Sequence, residues 1–175
     1  MGRHMPKENR VARIRSDSVL PVVGWREWVS LPGLGLERVK AKIDTGARSS
    51  ALHAFNLRTF TKDGAPWVRF SVHPMQHGGP TVEAESELID TRSVRNPGGR
   101  SELRPVIRTP LVLLDRTWEI DVTLTPRWGM SFRMLLGRRA VRHRFLVDPG
   151  RSFFGEPARR ENRARGGMPP HGGEG

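Results

Sequence analysis

The residues with the clearest chemical potential in this sequence are one aspartate and the small residues that follow it. Asp44-Thr45-Gly46-Ala47 comes directly after a run of alternating apolar and charged residues, and Leu135-Leu136-Gly137-Arg138 places a second tight glycine much later. An aspartate on such a turn can face an identical aspartate across a two-fold axis. Two carboxylates about 3 Å apart cannot both ionise, so they share a proton and can activate a water molecule for hydrolysis. Because the sequence contains the motif once, this chemistry requires a homodimer.

A structural turn is the plainer interpretation of the same aspartate. Asp and Gly favour turns, so many strands end in Asp-x-Gly without any catalytic role. In the catalytic interpretation Asp44 activates the water, while Thr45 and the Gly46 amide hold the two carboxylates in one plane by hydrogen bonding. In the alternative, the domain is a non-catalytic module that binds a peptide or a partner protein. The oligomeric state separates these hypotheses, because a strict monomer cannot assemble a pair of aspartates.

Alternation of apolar and charged residues predicts that the centre of the chain is built from half-buried β-strands. Clusters of Gly, Pro, Asn and Asp separate these segments and predict the turns between them. Only the segment 138–144 predicts a helix, and it leads into a short strand at 145–147. Many short strands with one late helix indicate an all-β domain, either a small closed barrel or a sandwich. The alternating segments are 38–43, 68–72, 82–87 and 118–124.

The two ends of the chain differ in composition from its centre. Residues 1–19 are polar and aperiodic and predict a mobile leader, whose first five residues resemble an expression-vector remnant. Residues 155–175 are rich in Gly, Pro and Arg and predict a disordered tail. The folded domain is therefore expected at 20–154. No apolar run approaches the ~20 residues of a membrane span, so we expect a cytoplasmic protein with no membrane partner.

The formal net charge of +12 predicts an acidic partner, and the alternative is a soluble domain from a proteome that is rich in arginine. Nucleic acid is the weaker candidate beyond non-specific attraction, because the sequence lacks a basic helix or an aromatic stacking platform. The absence of cysteine excludes disulfides and thiolate zinc sites. The sequence contains neither a phosphate-binding glycine loop with its lysine nor a His-Glu-x-x-His motif, and His53, His73, His77 and His143 are scattered. We therefore expect no cofactor and no metal.

Longer stretches of the chain resemble a bacterial family of retropepsin-like aspartic proteases, which is often labelled "ATP-dependent zinc protease". The resemblance implies the acid-protease closed barrel with one short C-terminal helix, and it makes Asp44 the active-site aspartate of a homodimer. It also implies hydrolysis of peptide bonds, with acidic, glutamate-rich peptides or glutamate tails as substrates and a glutamate ligase as a partner. The matching segments are 24–29, 41–54, 105–110 and 132–138, within residues 20–154.

Residues around the two motifs supply the candidate contacts to a substrate. In viral enzymes the position four residues after the catalytic aspartate is acidic and pairs with the arginine after the late glycine. Here that position is Arg48, so Arg138 must find another partner, and both arginines are candidates to hold an acidic side chain. The turn 96–100 occupies the place of the flap that closes over substrate. A solvated surface arginine and an ordinary hairpin loop are the respective alternatives. The predicted substrate-binding residues are Ala47, Arg48, Gly98, Gly99, Arg100 and Arg138.

Overall fold

Strands dominate the part of the chain that the structure describes. The computed structural model describes residues 19–76, 78–95, 99, 101–126 and 131–156. The elements are β1 (Val22–Gly24), β2 (Arg26–Leu31), a single 3-10 turn (Pro32–Leu34), β3 (Leu36–Asp44), β4 (Ser50–His53), β5 (Phe55–Lys62), β6 (Ala65–Val72), β7 (Val82–Arg95), β8 (Ser101–Leu113), β9 (Arg116–Thr125), β10 (Met134–Gly137), α1 (Arg138–Val141) and β11 (Leu146–Asp148).

Six strands close into a barrel. They follow the order β2-β3-β10-β4-β9-β8, and the pairing of Ser30 with Val112 joins β2 back to β8. Closure removes the free sheet edges of these strands. The all-β closed barrel predicted from the sequence is therefore confirmed. Its interior is filled by alternate residues of the strands, including Val39, Ala41, Ile43, Leu52, Ile107, Leu111, Val122, Leu124, Met134 and Leu136.

Two hairpins extend from the barrel beyond β8. The strand β7 pairs with β8 as far as Arg95 and Ser101, and the predicted flap turn at 96–100 lies between these two residues in the sequence. On its other edge β7 pairs with β6, and β6 pairs with β5 around a turn at Asp63 and Gly64. The backbone of both turn residues is left-handed, with φ of 51° and 76°, a conformation that Asp and Gly tolerate better than most residues.

The helix is shorter than the sequence predicts. It was expected over 138–144 but ends at Val141, because Arg142 adopts extended backbone with ψ of 140° and His143 is left-handed with φ of 62°. Ala140 and Val141 are buried against the barrel, which explains why the apolar pair predicted a helix. The chain then forms β11, which pairs in parallel with β1.

The C-terminal part of the described chain packs against β2 and β3. Phe153 stacks on Trp28 with ring centroids 5.6 Å apart, and Glu156 forms an ion pair with Arg38. Residues 155 and 156, at the start of the predicted tail, are exposed, whereas the remainder of the tail and residues 1–18 of the predicted leader lie outside the described residues. Within the described ranges no helix has the length and apolarity needed to cross a membrane.

Candidate active site

Asp44 is the last residue of β3, and the loop that follows it, which we call the Asp44 loop, connects β3 to β4. The strand β10 lies between these two strands. Its pairing with β3 is parallel and places Gly137 beside Asp44, whereas its pairing with β4 is antiparallel and places Met134 beside Leu52. The register therefore joins the two sequence motifs at one point, although they are far apart in the chain. The strands at both ends of this short loop pair with β10, and such a loop is a rigid support for a catalytic group.

The Asp44 carboxylate is half-buried and is held by its own loop. Its Oδ1 accepts hydrogen bonds from the backbone N–H groups of Gly46, at 3.2 Å, and Ala47, at 3.1 Å. Its Oδ2 accepts no hydrogen bond from any residue within the described ranges. Thr45 and Gly46 are exposed at the surface of the loop. One carboxylate oxygen thus fixes the turn, while the group as a whole stays partly open to solvent.

Arg138 is the partner that holds the loop from the other side. Its backbone N–H donates to the Ala47 carbonyl at 2.8 Å, and its Nη1 donates to the carbonyls of Thr45, at 3.0 Å, and Gly46, at 3.3 Å. The next residue continues the clamp, since the Arg139 N–H donates to the Arg48 carbonyl at 3.2 Å. Arg138 therefore compensates for the missing acidic partner at position 48 by binding main-chain carbonyls. A direct contact of Arg138 with substrate stays a prediction.

We expect Arg138→Gln to lower catalytic activity more than it lowers stability. Glutamine keeps an amide donor, but its side chain is shorter and uncharged. We expect it to lose the hydrogen bonds to the carbonyls of Thr45 and Gly46, so the Asp44 loop gains freedom. Hydrogen bonds from an exposed charged group contribute about 1 kcal/mol to stability, but misplacement of a catalytic group costs about 10²-fold in rate. Peptide hydrolysis and urea unfolding should be measured side by side. Arg58→Gln, on the exposed face of β5, is the control, and equal activity in the two variants would contradict the clamp.

Gly137 and Ser50 lock β10 against the loop. The buried Gly137 N–H donates to Ser50 Oγ at 3.2 Å. A Cβ at position 137 would lie 2.5 Å from the backbone C and O of Ser49, so only glycine fits there. Sequence reasoning identified Gly137 but missed both serines. The one signal for them is that Ser50 opens a strand directly after the loop with a small hydroxyl side chain.

The long hairpin contacts the same loop. Arg92 of β7 donates from Nη1 to Ser49 Oγ at 3.1 Å and also pairs with Asp90, with 3.2 Å from Nε to Oδ2. Of the predicted flap residues, Gly99 is exposed with φ of 79°, whereas Gly98 and Arg100 lie outside the described residues. The flap role therefore stays a prediction. Arg92 joins the hairpin to the loop after Asp44 through its hydrogen bond with Ser49.

The other predicted contacts lie on the loop itself. Arg48 is exposed and Ala47 is half-buried. Arg48 forms no ion pair with any residue in the described part of the chain, and its side chain is exposed to solvent. Its role in binding an acidic side chain stays a prediction.

His53 at the end of β4 is a core residue. Its side chain is fully buried, and burial lowers the pKa of its imidazole, with further lowering from the nearby charges of Arg133 and His73. It packs near Phe55, whose ring also lies 4.6 Å from that of His73. No three His, Cys, Asp or Glu side chains within the described ranges come together as a metal-binding group.

Comparisons with known proteins found a family model and a solved structure that match this chain. The sequence model of the RimB-like family, described as the retropepsin-like aspartic endopeptidase RimB, matches residues 22–157. A solved structure of a Legionella pneumophila protein of unknown function is similar, with a TM-score of 0.66 and 34% sequence identity. The match covers 78% of this chain and 98% of the Legionella chain, so it includes nearly all of that protein.

Curated relatives carry a different name. A protein of Parasynechococcus marenigrum is 51% identical over 129 residues, which is 73% of this chain and 28% of the relative. One from Desulfotalea psychrophila is 46% identical over 134 residues, which is 76% of this chain and 29% of the relative. Both are called probable alpha-L-glutamate ligase. The chain therefore spans less than a third of the length of these relatives.

Proposed function

Since the chain belongs to the RimB-like family of retropepsin-like aspartic endopeptidases, we propose that it is one subunit of a homodimeric aspartic peptidase. The observation that carries this proposal is the clamped Asp44 loop. Its carboxylate is partly open, is held by the Gly46 and Ala47 amides, and is supported from behind by Arg138. The motif occurs once in the sequence, so the second carboxylate must come from a second copy.

In the proposed mechanism the two Asp44 carboxylates share one proton. The ionised member accepts a proton from a water molecule, which attacks the carbonyl carbon of the peptide bond. The protonated member donates a hydrogen bond to the carbonyl oxygen and stabilises the charge that develops there. Proton transfer to the leaving amine then completes the cleavage. The loop amides and Arg138 contribute by holding each carboxylate in place.

The terminal strands offer a surface for the second copy. Within the described part of the chain, β1 pairs only with β11, so each keeps one unpaired edge. Val22 and Leu146 lie opposite each other in this pair and are exposed, with 37% and 54% of their surface accessible. Unpaired strand edges with exposed apolar side chains favour association with another chain. We propose this terminal sheet as part of the dimer contact.

For the substrate we propose an acidic peptide. The chain carries a net charge of +12, and Arg48 is exposed on the Asp44 loop. The relatives named probable alpha-L-glutamate ligase supply a second argument, because a ligase of that name would make glutamate-containing products. We propose that this chain cleaves glutamate-rich segments or glutamate tails, with such a ligase as its functional partner.

One observation favours the non-catalytic alternative. The Oδ1 atom of Asp44 already accepts two loop amides, as a purely structural turn residue would. In that case the exposed basic surface would serve only to bind an acidic partner. The two functions differ in their requirement for a second copy, and this difference can be measured.

Mixing active protein with inactive Asp44→Asn protein should reveal whether catalysis is shared between subunits. After exchange of subunits, equal amounts leave about one quarter of the dimers with two aspartates, so activity should fall to about one quarter of that of the undiluted enzyme. Catalysis within one chain would leave about one half. Asp115→Asn protein, altered in an exposed turn, is the control and should leave the activity of the mixture unchanged. Sedimentation of each mixture checks that dimers are present, and a strict monomer would contradict the proposal.

A further inference from the structure

A cleft rich in arginine lies beside the Asp44 loop and is not used by the mechanism above. It has a volume of about 420 Å³. We call it the arginine cleft and define it by Ser49, Arg92, Trp118, Arg139 and Arg142, which come from the Asp44 loop, from β7, from β9 and from the segment around α1. Several parts of the fold thus converge on it.

The positive charge of the cleft is only partly neutralised. Arg108 pairs with Asp121 at 2.8 Å, and Arg92 pairs with Asp90. Arg139 and Arg142 are exposed, and neither forms an ion pair with any residue in the described ranges. Glu119 is the remaining acidic residue of the lining. Two arginines therefore have their guanidinium groups available for an anion.

The arginine cleft is continuous with the Asp44 loop. Ser49, which accepts the hydrogen bond from Arg92, is the last loop residue before β4. The Arg139 N–H donates a hydrogen bond to the Arg48 carbonyl, so the backbone of Arg139 is held next to the Asp44 loop. An extended peptide rises about 3.3 Å per residue, so a peptide bound across Asp44 can place a nearby side chain in the cleft.

We propose that the arginine cleft is a specificity subsite that binds the carboxylate of one acidic substrate residue located away from the cleaved bond. This inference rests on the proposed peptidase function for its ligand. Arginine binds a carboxylate through two parallel N–H donors, which gives both charge and direction. Arg139 and Arg142 would make this contact, and Ser49 with Arg92 would form the wall nearest the loop.

A nucleic acid fits the cleft less well than a carboxylate. Glu119 and Asp121 lie in the same lining and would repel a continuous chain of phosphates. Trp118 cannot serve as a platform for a base, because Arg144 covers its ring with 5.3 Å from the guanidinium carbon to the ring centroid. A single carboxylate needs no stacking platform, and it meets less repulsion from these two acidic residues than a chain of phosphates does.

The test uses full-length Asp44→Asn protein, which binds peptide without cleaving it, and a peptide with glutamate at every position. In a series of derivatives, one glutamate at a time is replaced by glutamine, and binding is measured by calorimetry. We expect the replacement at one position to weaken binding to the Asp44→Asn protein by about tenfold. When Arg139→Gln and Arg142→Gln are added to the same protein, the replacement at that peptide position should no longer weaken binding. Arg58→Gln serves as the control and should retain the effect.

Several results would overturn the subsite. They are an absence of peptide binding, equal sensitivity at all positions, an unchanged profile in the double variant, or displacement of the peptide by a short oligonucleotide at equal charge. In an active background the double variant should raise KM more than it lowers kcat. Peptide binding that depends on Arg139 and Arg142, but without any cleavage by the unaltered protein, would reject the peptidase function and leave the acidic-residue site standing.

Discussion

Replacing Asp44 by asparagine is expected to abolish peptide hydrolysis and leave the fold intact. Asparagine keeps an Oδ1 acceptor for the N–H groups of Gly46 and Ala47, so the turn retains its hydrogen bonds. It has no ionisable proton, so the pair of side chains can neither accept a proton from water nor return it. Loss of general acid–base catalysis lowers rates by about 10²–10⁴-fold, and removal of both members of the pair should reach the upper end. The measurement is the rate at which a glutamate-tailed peptide is hydrolysed, monitored with mass spectrometry.

The controls separate the chemical role of Asp44 from its structural role. Asp115→Asn changes an exposed carboxylate in the turn between β8 and β9 and should keep full activity. Asp44→Ala removes the Oδ1 acceptor as well, so it should also lower the free energy of unfolding by about 1 kcal/mol. If Asp44→Asn hydrolysed the peptide at the unaltered rate, the aspartate would be a turn residue and the protein a binding module.

The barrel strands could be predicted because burial on one face leaves a local pattern. Val39, Ala41 and Ile43 point into the barrel, while their charged neighbours on β3 are exposed or half-buried. The same alternation identifies β9 through Ile120, Val122 and Leu124. A period of two needs no knowledge of distant residues, since each strand contributes one face to the same interior.

Long-range contacts could not be predicted in the same way. The closure of the barrel through Ser30 and Val112 depends on the twist and length of the whole sheet. The partner of Arg138 was missed for a related reason, because main-chain carbonyls are present at every position and carry no sequence signal. The helix end was misplaced because His143 adopts a left-handed backbone. Histidine does not favour that conformation over a helical one, so the sequence gives no signal for the end of the helix.

The candidate site was predicted to the extent that its groups are side chains in short motifs. Asp44 and Gly137 were singled out, and the register of β3 with β10 brings them side by side. Ser50 was missed because its role depends on a distant residue: its buried hydroxyl accepts a hydrogen bond from the Gly137 N–H. In the sequence it looks like any serine at the start of a strand. Short motifs therefore single out a candidate reactive side chain more easily than the residues that hold it.

Replacing Gly137 by alanine is expected to damage both stability and activity. The added methyl group would lie 2.5 Å from the carbonyl C and O of Ser49 and 2.8 Å from its N, and these are backbone atoms that cannot rotate away. Either β10 or the loop after Asp44 must move. Overpacking of this kind costs about 3 kcal/mol, and a shift of about 1 Å at a catalytic group costs about 10²-fold in rate. Urea unfolding and peptide hydrolysis measure the two effects separately.

Gly150→Ala is the matched control for this substitution. Its added methyl group would meet only the flexible side chain of Asp148 at 3.3 Å, so stability should change by about 0.5 kcal/mol or less and activity should be retained. Activity per folded molecule is the deciding quantity for Gly137→Ala. If the folded fraction of this variant hydrolysed peptide normally, the contact between β10 and the loop would stabilise the barrel without positioning Asp44. A loss of activity in the folded fraction as well would mean that the glycine fixes the position of the Asp44 carboxylate.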